Sequence, residues 1–262
     1  FGPTRKDKHM SPFDLYIDAA WWQNKIPAAK AKKYIALKWS LENYLREGSF
    51  SEDFFLAYPY PSHRHFFSKF SEQSKTFPLP TMFGTEFPRP NWAEPKLFLP
   101  GKIDKNRDYQ TYTPAILSLL QKYPVEAVSK TFFQQEFGNQ INFNMSGSNW
   151  WDNKPYNQVV DSIKRTRLSV PFLNPGCIIE AAFCGVPSVF WEHGGFYNSL
   201  GSMMDILIPH NAPPERFLEV VENLMNNKKS HAETTLGIQD FFSAHLYGEA
   251  MKYFTVMVES IF

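Results

Sequence analysis

Short apolar runs and helical stripes alternate along most of the chain. Phe13 to Ile17 reads as a short buried strand. Pro27 to about Glu47 is Ala-rich and halts at Gly48, which predicts a helix opened by proline and closed by glycine. Phe54 to Tyr58 is another short apolar run. Two strands and one helix are too little for a complete α/β domain. Residues 76–95 then carry five prolines and a glycine, which cannot sustain a helix or an interior strand, so a linker is predicted there.

Beyond the linker the pattern becomes regular. Strands are predicted at Lys96 to Pro100, Val125 to Val128, Leu168 to Leu173, Pro187 to Trp191 and Asp205 to Pro209. Helices are predicted after Thr113-Pro114, where Ile116, Leu117, Leu119, Leu120 and Tyr123 share a face, and after Pro155, where Val159, Val160 and Ile163 do. A helix from about Cys177 stops at Gly185, and another opens at Pro213-Pro214 with Phe217, Leu218, Val220, Val221, Leu224 and Met225 at helical spacing. A last amphipathic helix runs from about Ala250 to Ile261. Such alternation predicts an α/β fold with a Rossmann-like parallel sheet and helices on both faces. Ligands of such sheets sit outside the carboxyl ends of the strands, so the informative loops follow Pro100, Val128, Leu173, Trp191 and Pro209.

The loop after Leu173 carries the clearest chemistry. Asn174-Pro175-Gly176 leads into a helix whose free N–H groups, around Gly176, Cys177 and Ile178, form an anion site aided by the helix dipole. Gly176 lets a phosphate approach the backbone. Glu180 stands one turn further in, beside small alanines. A carboxylate repels phosphate but suits vicinal hydroxyls such as those of a ribose. Phosphate plus ribose means a nucleotide. The plainer account is an acidic residue that favours a helix start.

Composition narrows the function classes. The 262 residues carry 27 Lys+Arg against 26 Asp+Glu, and a net charge of +1 removes the basic excess that nucleic-acid binding needs. No apolar run reaches the roughly 18 residues of a transmembrane helix. The start at Phe1, with no signal-peptide pattern, reads as a fragment or processed form. Cys177 and Cys184, roughly 10 Å apart along one helix, cannot bridge and read as small buried thiols. Two unpaired cysteines tilt toward a cytoplasmic setting, while Asn144-Met145-Ser146, a lone sequon, leaves the Golgi lumen open. The 25 Phe, 12 Tyr and 7 Trp mostly imply an aromatic core, although Trp21-Trp22 and Trp150-Trp151 also suit stacking on sugars or bases. His63 and His65, two apart, suit a metal or a base on a strand, and a polar surface loop otherwise. Asp14 and Asp18 flank a strand and carry no further mark.

Taken in order, several segments resemble the nucleotide-sugar-binding half of a GT-B glycosyltransferase over residues 79–227. Leu79-Pro-Thr-Met-Phe-Gly-Thr-Glu-Phe-Pro-Arg-Pro resembles the interdomain link of that fold. Leu97-Phe-Leu-Pro-Gly-Lys-Ile-Asp-Lys-Asn-Arg107 resembles the strand and basic loop opening its second domain. Glu180-Ala-Ala-Phe-Cys-Gly-Val-Pro-Ser-Val189 resembles its Glu-Ala-x-x-x-Gly-x-Pro helix and strand, and Glu192-His-Gly194-Gly195 falls at its Gly-Gly loop. Asp205 to Pro209 and Pro214 to Met225 resemble the next strand and helix. Group-1 enzymes of this fold look similar, as does the family that adds β1,6-linked N-acetylglucosamine to N-glycans. Two departures stand out. Phe172 occupies the place of a second glutamate that normally touches the donor sugar, which puts a retaining mechanism of that type in doubt, and Lys102 replaces the usual arginine.

The resemblance implies a part-complete acceptor-side α/β domain with the linker over residues 1–90, a donor domain over 91–245, and a C-terminal helix over 246–262 that packs back toward the N-terminal part. It implies that Lys102, with Lys105 or Arg107 in the loop from Gly101, neutralises the donor diphosphate. It implies that Asn174 and the amides of Gly176, Cys177 and Ile178 hold phosphates, that Glu180 holds the ribose, and that Gly194 and Gly195 line the cleft. The donor would be a UDP- or GDP-linked sugar and the acceptor a glycan or other hydroxyl, with no metal or other cofactor. The catalytic base is not identified. Alternatives are a nucleotide- or sugar-binding partner without activity, favoured by Phe172, and a nucleotide-sugar epimerase.

Overall fold

The computed structural model describes residues 13–18, 31–37, 55–58, 76–80, 82–100, 113–141, 146–152, 154–171, 175–191, 207–208 and 212–262. The chain divides into two compact units, residues 1–82 with 244–262, and residues 83–243.

In the first unit, β1 (Phe13–Asp18), β2 (Ala31–Leu37), β3 (Phe55–Tyr58) and β4 (Thr76–Pro78) form a parallel sheet in the order β1-β2-β3-β4. Parallel neighbours require connections of about a dozen residues or more, and segments 19–30, 38–54 and 59–75 supply that length. The predicted helix from Pro27 to Glu47 is therefore corrected over Ala31–Leu37. Ala, Lys and Leu are good helix formers, but such preferences are small, and pairing on both edges, with Ile35 opposite Ile17 and Phe55, decides the outcome. The linker is likewise shorter than expected, because Thr76–Pro78 pairs with Leu56 to Tyr58. Pro78 lacks an N–H, and β4 lies at the sheet edge, where that lack is tolerated. Among the described residues of this unit, one α-helix, α7 (Tyr247–Ile261), is present. Its Met257 and Ile261 are buried with Ala57, flanked by Phe77, Leu79 and Phe254.

In the second unit, β5 (Leu97–Leu99), β6 (Val125–Ala127), β7 (Asn149–Trp150) and β8 (Leu168–Ser169) form a parallel sheet in the order β7-β6-β5-β8. β9 (Phe190–Trp191) pairs with β10 (Leu207–Ile208). The segment leading into β9 is joined to β8 by a parallel bridge at Ser169 and Ser188, with Ser169 N–H donating to Pro187 O and Val189 N–H to Ser169 O at 3.0 Å each. The resulting order, β7-β6-β5-β8-β9-β10, is that of a doubly wound sheet. The chain works outward from β5 in one direction, then returns to its other side at β8.

Helices cover both faces. Leu97 and Leu99 face a core that includes Leu119 of α1 (Thr113–Lys122), Phe133 of α2 (Lys130–Phe137), and Phe217 and Val221 of α5 (Pro214–Asn226). Phe98 points oppositely, toward Ile163 of α3 (Tyr156–Lys164) and Ala181 of α4 (Pro175–Ala182). β5 is buried throughout, as a central parallel strand should be.

Two helices lie outside the sequence prediction. α2 is short, and its buried Phe133 and Phe137 are four residues apart. α6 (Lys228–Phe241) buries His231, Thr235, Ile238 and Gln239, a face at helical spacing but mostly polar. Hydrophobic periodicity misses such a face.

The segment from residue 83 to β5 is seated largely through its backbone. Gln239 Nε2 donates to Pro88 O at 2.9 Å and Ala182 O at 3.0 Å. Asn91 N–H donates to Gly185 O at 2.8 Å. The Arg167 guanidinium donates to Ala93 O and, at 2.7 Å, to Met225 O, and its centre lies 3.9 Å from the Trp92 ring centroid.

Candidate functional site

The site grows from the reversal of the strand order. β5 and β8 lie side by side, with Leu97 opposite Leu168 and Phe98 opposite Ser169, and Val170 N–H donates to Phe98 O at 2.9 Å. Their carboxyl ends are therefore neighbours, and the chain after Pro100 and the chain into α4 leave from adjoining points. α4 begins at Pro175, slightly earlier than predicted, because proline's fixed φ suits the first helical position. Gly176, Cys177 and Ile178 thus occupy its first turn, and Glu180 follows on the next.

The helix presents two faces. Ile178, Ile179, Ala181 and Ala182 are buried, whereas Cys177 and Glu180, three residues apart, are half-buried. Burial pushes the Glu180 carboxyl above the ordinary carboxylate range, and the nearby Tyr156 hydroxyl opposes that shift. Burial also pushes the Cys177 thiol up to about 12, with the Glu180 charge adding to it. Cys184, fully buried just past the helix, is pushed up to about 11. Both cysteines are free, and Cys177 is more exposed than the expected buried thiol. A thiol titrating this high stays protonated near neutrality and is a poor nucleophile. The chemical resource of this face is the carboxylate.

Tyr156 is the partner that sequence reasoning missed. It opens α3, is 62% exposed, and stands near enough to Glu180 for burial and that carboxylate to raise its own titration. The loop before it is held at several points. Trp151 O accepts from Lys130 N–H, and Asp152 Oδ1 accepts from Thr131 N–H at 2.9 Å and Thr131 Oγ1 at 2.7 Å, which satisfies the first two N–H groups of α2. Lys154 turns inward, and its ammonium lies 4.3 Å from the Trp151 ring centroid.

Lys154 belongs to a buried polar cluster that the sequence did not signal. Glu126 of β6 accepts from Asn149 Nδ2 at 2.6 Å and Ser162 Oγ at 3.0 Å, and pairs with Lys154 Nζ at 3.4 Å and Arg165 Nη2 at 3.5 Å. Lys154 also donates to Ser162 Oγ. Burial alone would push the Glu126 carboxyl up. The hydrogen bonds from Asn149 and Ser162 and the charges of Lys154 and Arg165 outweigh it and hold the group below its ordinary value. Burial lowers Lys154.

Of the residues singled out from sequence, the structure places Gly176, Cys177, Ile178 and Glu180 together on α4 at the carboxyl end of the sheet. Gly101, Lys102, Lys105, Arg107, Asn174, Gly194 and Gly195 lie outside the described residues, as do Phe172, Asn144, His63, His65, Trp21 and Trp22. Trp150 packs edge-on against Phe133, and Trp151 is 38% exposed. Among the described residues, no group of three or more His, Cys, Asp or Glu is placed to hold a metal ion, and no helix is long and apolar enough to cross a membrane.

No protein-family model matches the sequence, and no curated protein matches it. Solved structures do resemble the fold. A mutant of Staphylococcus aureus TarM, in complex with fondaparinux, α-GlcNAc-glycerol and UDP, superposes with a TM-score of 0.65 at 8% identity, over 87% of this chain and 51% of that one. Anabaena HepE in complex with UDP and glucose gives 0.57 at 10% identity, over 87% and 71%. A putative UDP-N-acetylglucosamine 2-epimerase from Listeria monocytogenes gives 0.56 at 12% identity, over 86% and 66%. The chain thus spans from about half to about seven-tenths of the proteins it resembles. These likenesses show the fold, a GT-B glycosyltransferase-like α/β architecture of Rossmann-like sheets.

Proposed function

We propose that the chain contains the nucleotide-sugar-binding part of a GT-B glycosyltransferase, which moves a sugar from a nucleotide-diphosphate donor to a hydroxyl of a glycan or similar acceptor. One observation carries the reading. A half-buried carboxylate, Glu180, stands on the helix that starts where the strand order reverses. In this reading the α4 amides at Gly176 to Ile178, with Asn174, bind the diphosphate, and Glu180 takes the ribose hydroxyls. Lys102, Lys105 and Arg107, in the loop from Gly101, neutralise charge as the diphosphate leaves. Positive charge placed where negative charge develops lowers the barrier. Gly194 and Gly195 line the cleft toward the sugar or acceptor. No metal is required in this scheme. UDP is favoured over GDP as the donor nucleotide, because TarM and HepE were both crystallised with UDP.

The test is a thermal-shift screen against UDP, GDP, ADP, CDP and TDP, followed by turnover assays with the corresponding sugars. A ligand selective for the native state raises the melting temperature, by an amount equivalent to about 2.7 kcal/mol at a hundredfold excess over Kd. UDP should do so, and Glu180→Ala should remove most of the shift while leaving the unligated melting temperature in place. A flat response to all five nucleotides would sink the reading. The Listeria structure favours a second reading, epimerisation of the sugar on its nucleotide. Incubation with a UDP-sugar and no acceptor separates the two, since an epimerase alone returns an isomeric UDP-sugar.

A further inference from the structure

The backbone seat of residues 83–96 contains one buried titratable group that the proposed chemistry does not use, His231. We infer that His231 is a proton-operated latch on that seat: on taking up a proton, the imidazole becomes a second buried cation beside the Arg167 guanidinium and loosens the hold on the segment.

The geometry carries it. His231, on α6, is 1% exposed, and its Nε2 lies 2.9 Å from Arg167 O. A carbonyl oxygen only accepts, so Nε2 carries the hydrogen and Nδ1 is the nitrogen left to titrate. Trp92 meets the imidazole edge-on at 5.0 Å between ring centroids, and the Arg167 guanidinium lies over the Trp92 ring. That guanidinium also holds Ala93 O from two nitrogens, at 3.0 and 2.8 Å. One residue thus supplies both the carbonyl that His231 grips and the charge that a protonated ring would face.

The neighbouring carboxylates are committed elsewhere. Glu94 of the segment pairs with Lys96, Glu233 of α6 with Lys229, and Glu222 of α5 with Lys122 and Tyr123. Among the described residues, none of the three is paired with His231 or Arg167. A buried charge without a counter-charge is costly. Burial therefore holds the imidazole below its ordinary value of 6.5, the Arg167 carbonyl opposes that shift, and the Arg167 charge adds to it. The latch is at full strength above 6.5 and is lost as pH falls toward the lower native value. Its reach extends to α4. About two turns along α6 from His231, Gln239 holds both Pro88 O and Ala182 O, and Ala182 is the last residue of α4.

The experiment is hydrogen exchange by NMR across pH 5 to 7.5, corrected for intrinsic rates, on the wild type and His231→Gln. The amides of Asn91 and Ala93 report on the segment, and those of α1 serve as reference. Wild-type protection at the two reporters should fall about three- to tenfold between pH 7 and pH 5.5, with α1 unchanged, since one proton moves an equilibrium at most about tenfold per pH unit. Glutamine keeps an N–H donor for Arg167 O and does not titrate, so protection in His231→Gln should stay level. Level protection in the wild type, or the same fall in both proteins, overturns the latch. A second measurement needs no variant. The His231 ring of the wild type, followed by NMR, should titrate below 6.5, and titration at or above that value overturns the latch equally.

Discussion

Lys154 and Glu126 both have fully buried side chains, so each depends on its neighbours for its charge. Their losses should not be equal. Lys154→Met leaves the Glu126 carboxylate with Asn149, Ser162 and the half-exposed Arg165. Glu126→Leu strands an ammonium with Ser162 and the Trp151 ring. We expect Glu126→Leu to cost about 3–5 kcal/mol and Lys154→Met less, read from urea denaturation midpoints. The two carboxylates also respond to pH with opposite sign. Glu126 is held below its ordinary value of 4.5, so its contribution to stability is full above that pH and lost as pH falls through its lower native value. Glu180 is raised, so its contribution is full below 4.5 and lost as pH climbs through its higher native value. Gly185 is a third sensitive position. Its φ is +72°, and an added Cβ would lie 2.5 Å from Arg89 O. Gly185→Ala should cost about 1–3 kcal/mol, measurable as a lowered melting temperature. The place of Glu180 on a helix was legible in the sequence because a Pro-Gly step and a carboxylate sit within one local motif. Tyr156, Glu126 and Lys154 were not, because their partners lie far along the chain, 28 residues away for the Glu126–Lys154 pair.

Among the elements, legibility follows the chemistry of the buried face. β5, α1 and α5 bury apolar residues at strand or helix spacing, and the pattern located each of them. α6 buries histidine, threonine and glutamine, so its stripe is invisible to hydrophobicity. Its start nevertheless carried a local signal. Asn227 caps it, accepting from Lys229 N–H and Ser230 N–H at 3.1 Å each. Asn227→Ala should cost about 1 kcal/mol, and hydrogen exchange should show the loss at the first turn of α6. β2 failed for the opposite reason. Its composition looks helical, and only its two parallel neighbours make it a strand.

Across the whole molecule, the first unit is discontinuous and the second is a single stretch. Deleting residues 244–262 removes α7, and with it Met257 and Ile261 from the small core around Ala57. Hydrogen exchange should then show lost protection in β3 and β4, while β5 and β6 keep theirs, since their core draws on α1, α2 and α5. Loss of protection in β5 would contradict that division. The backbone seat of residues 83–96 has a consequence for how this chain can change over time. Pro88 and Ala93 are engaged through their carbonyl oxygens, and the Arg89 carbonyl lies against Gly185. The side chains of Pro88, Arg89 and Ala93 are therefore free to drift while the path is kept, whereas Phe87, Asn91 and Trp92, whose side chains are themselves engaged, are not. Gly185, Gln239 and Arg167, which grip the path from outside it, are the positions where a comprehensive substitution library should find intolerance.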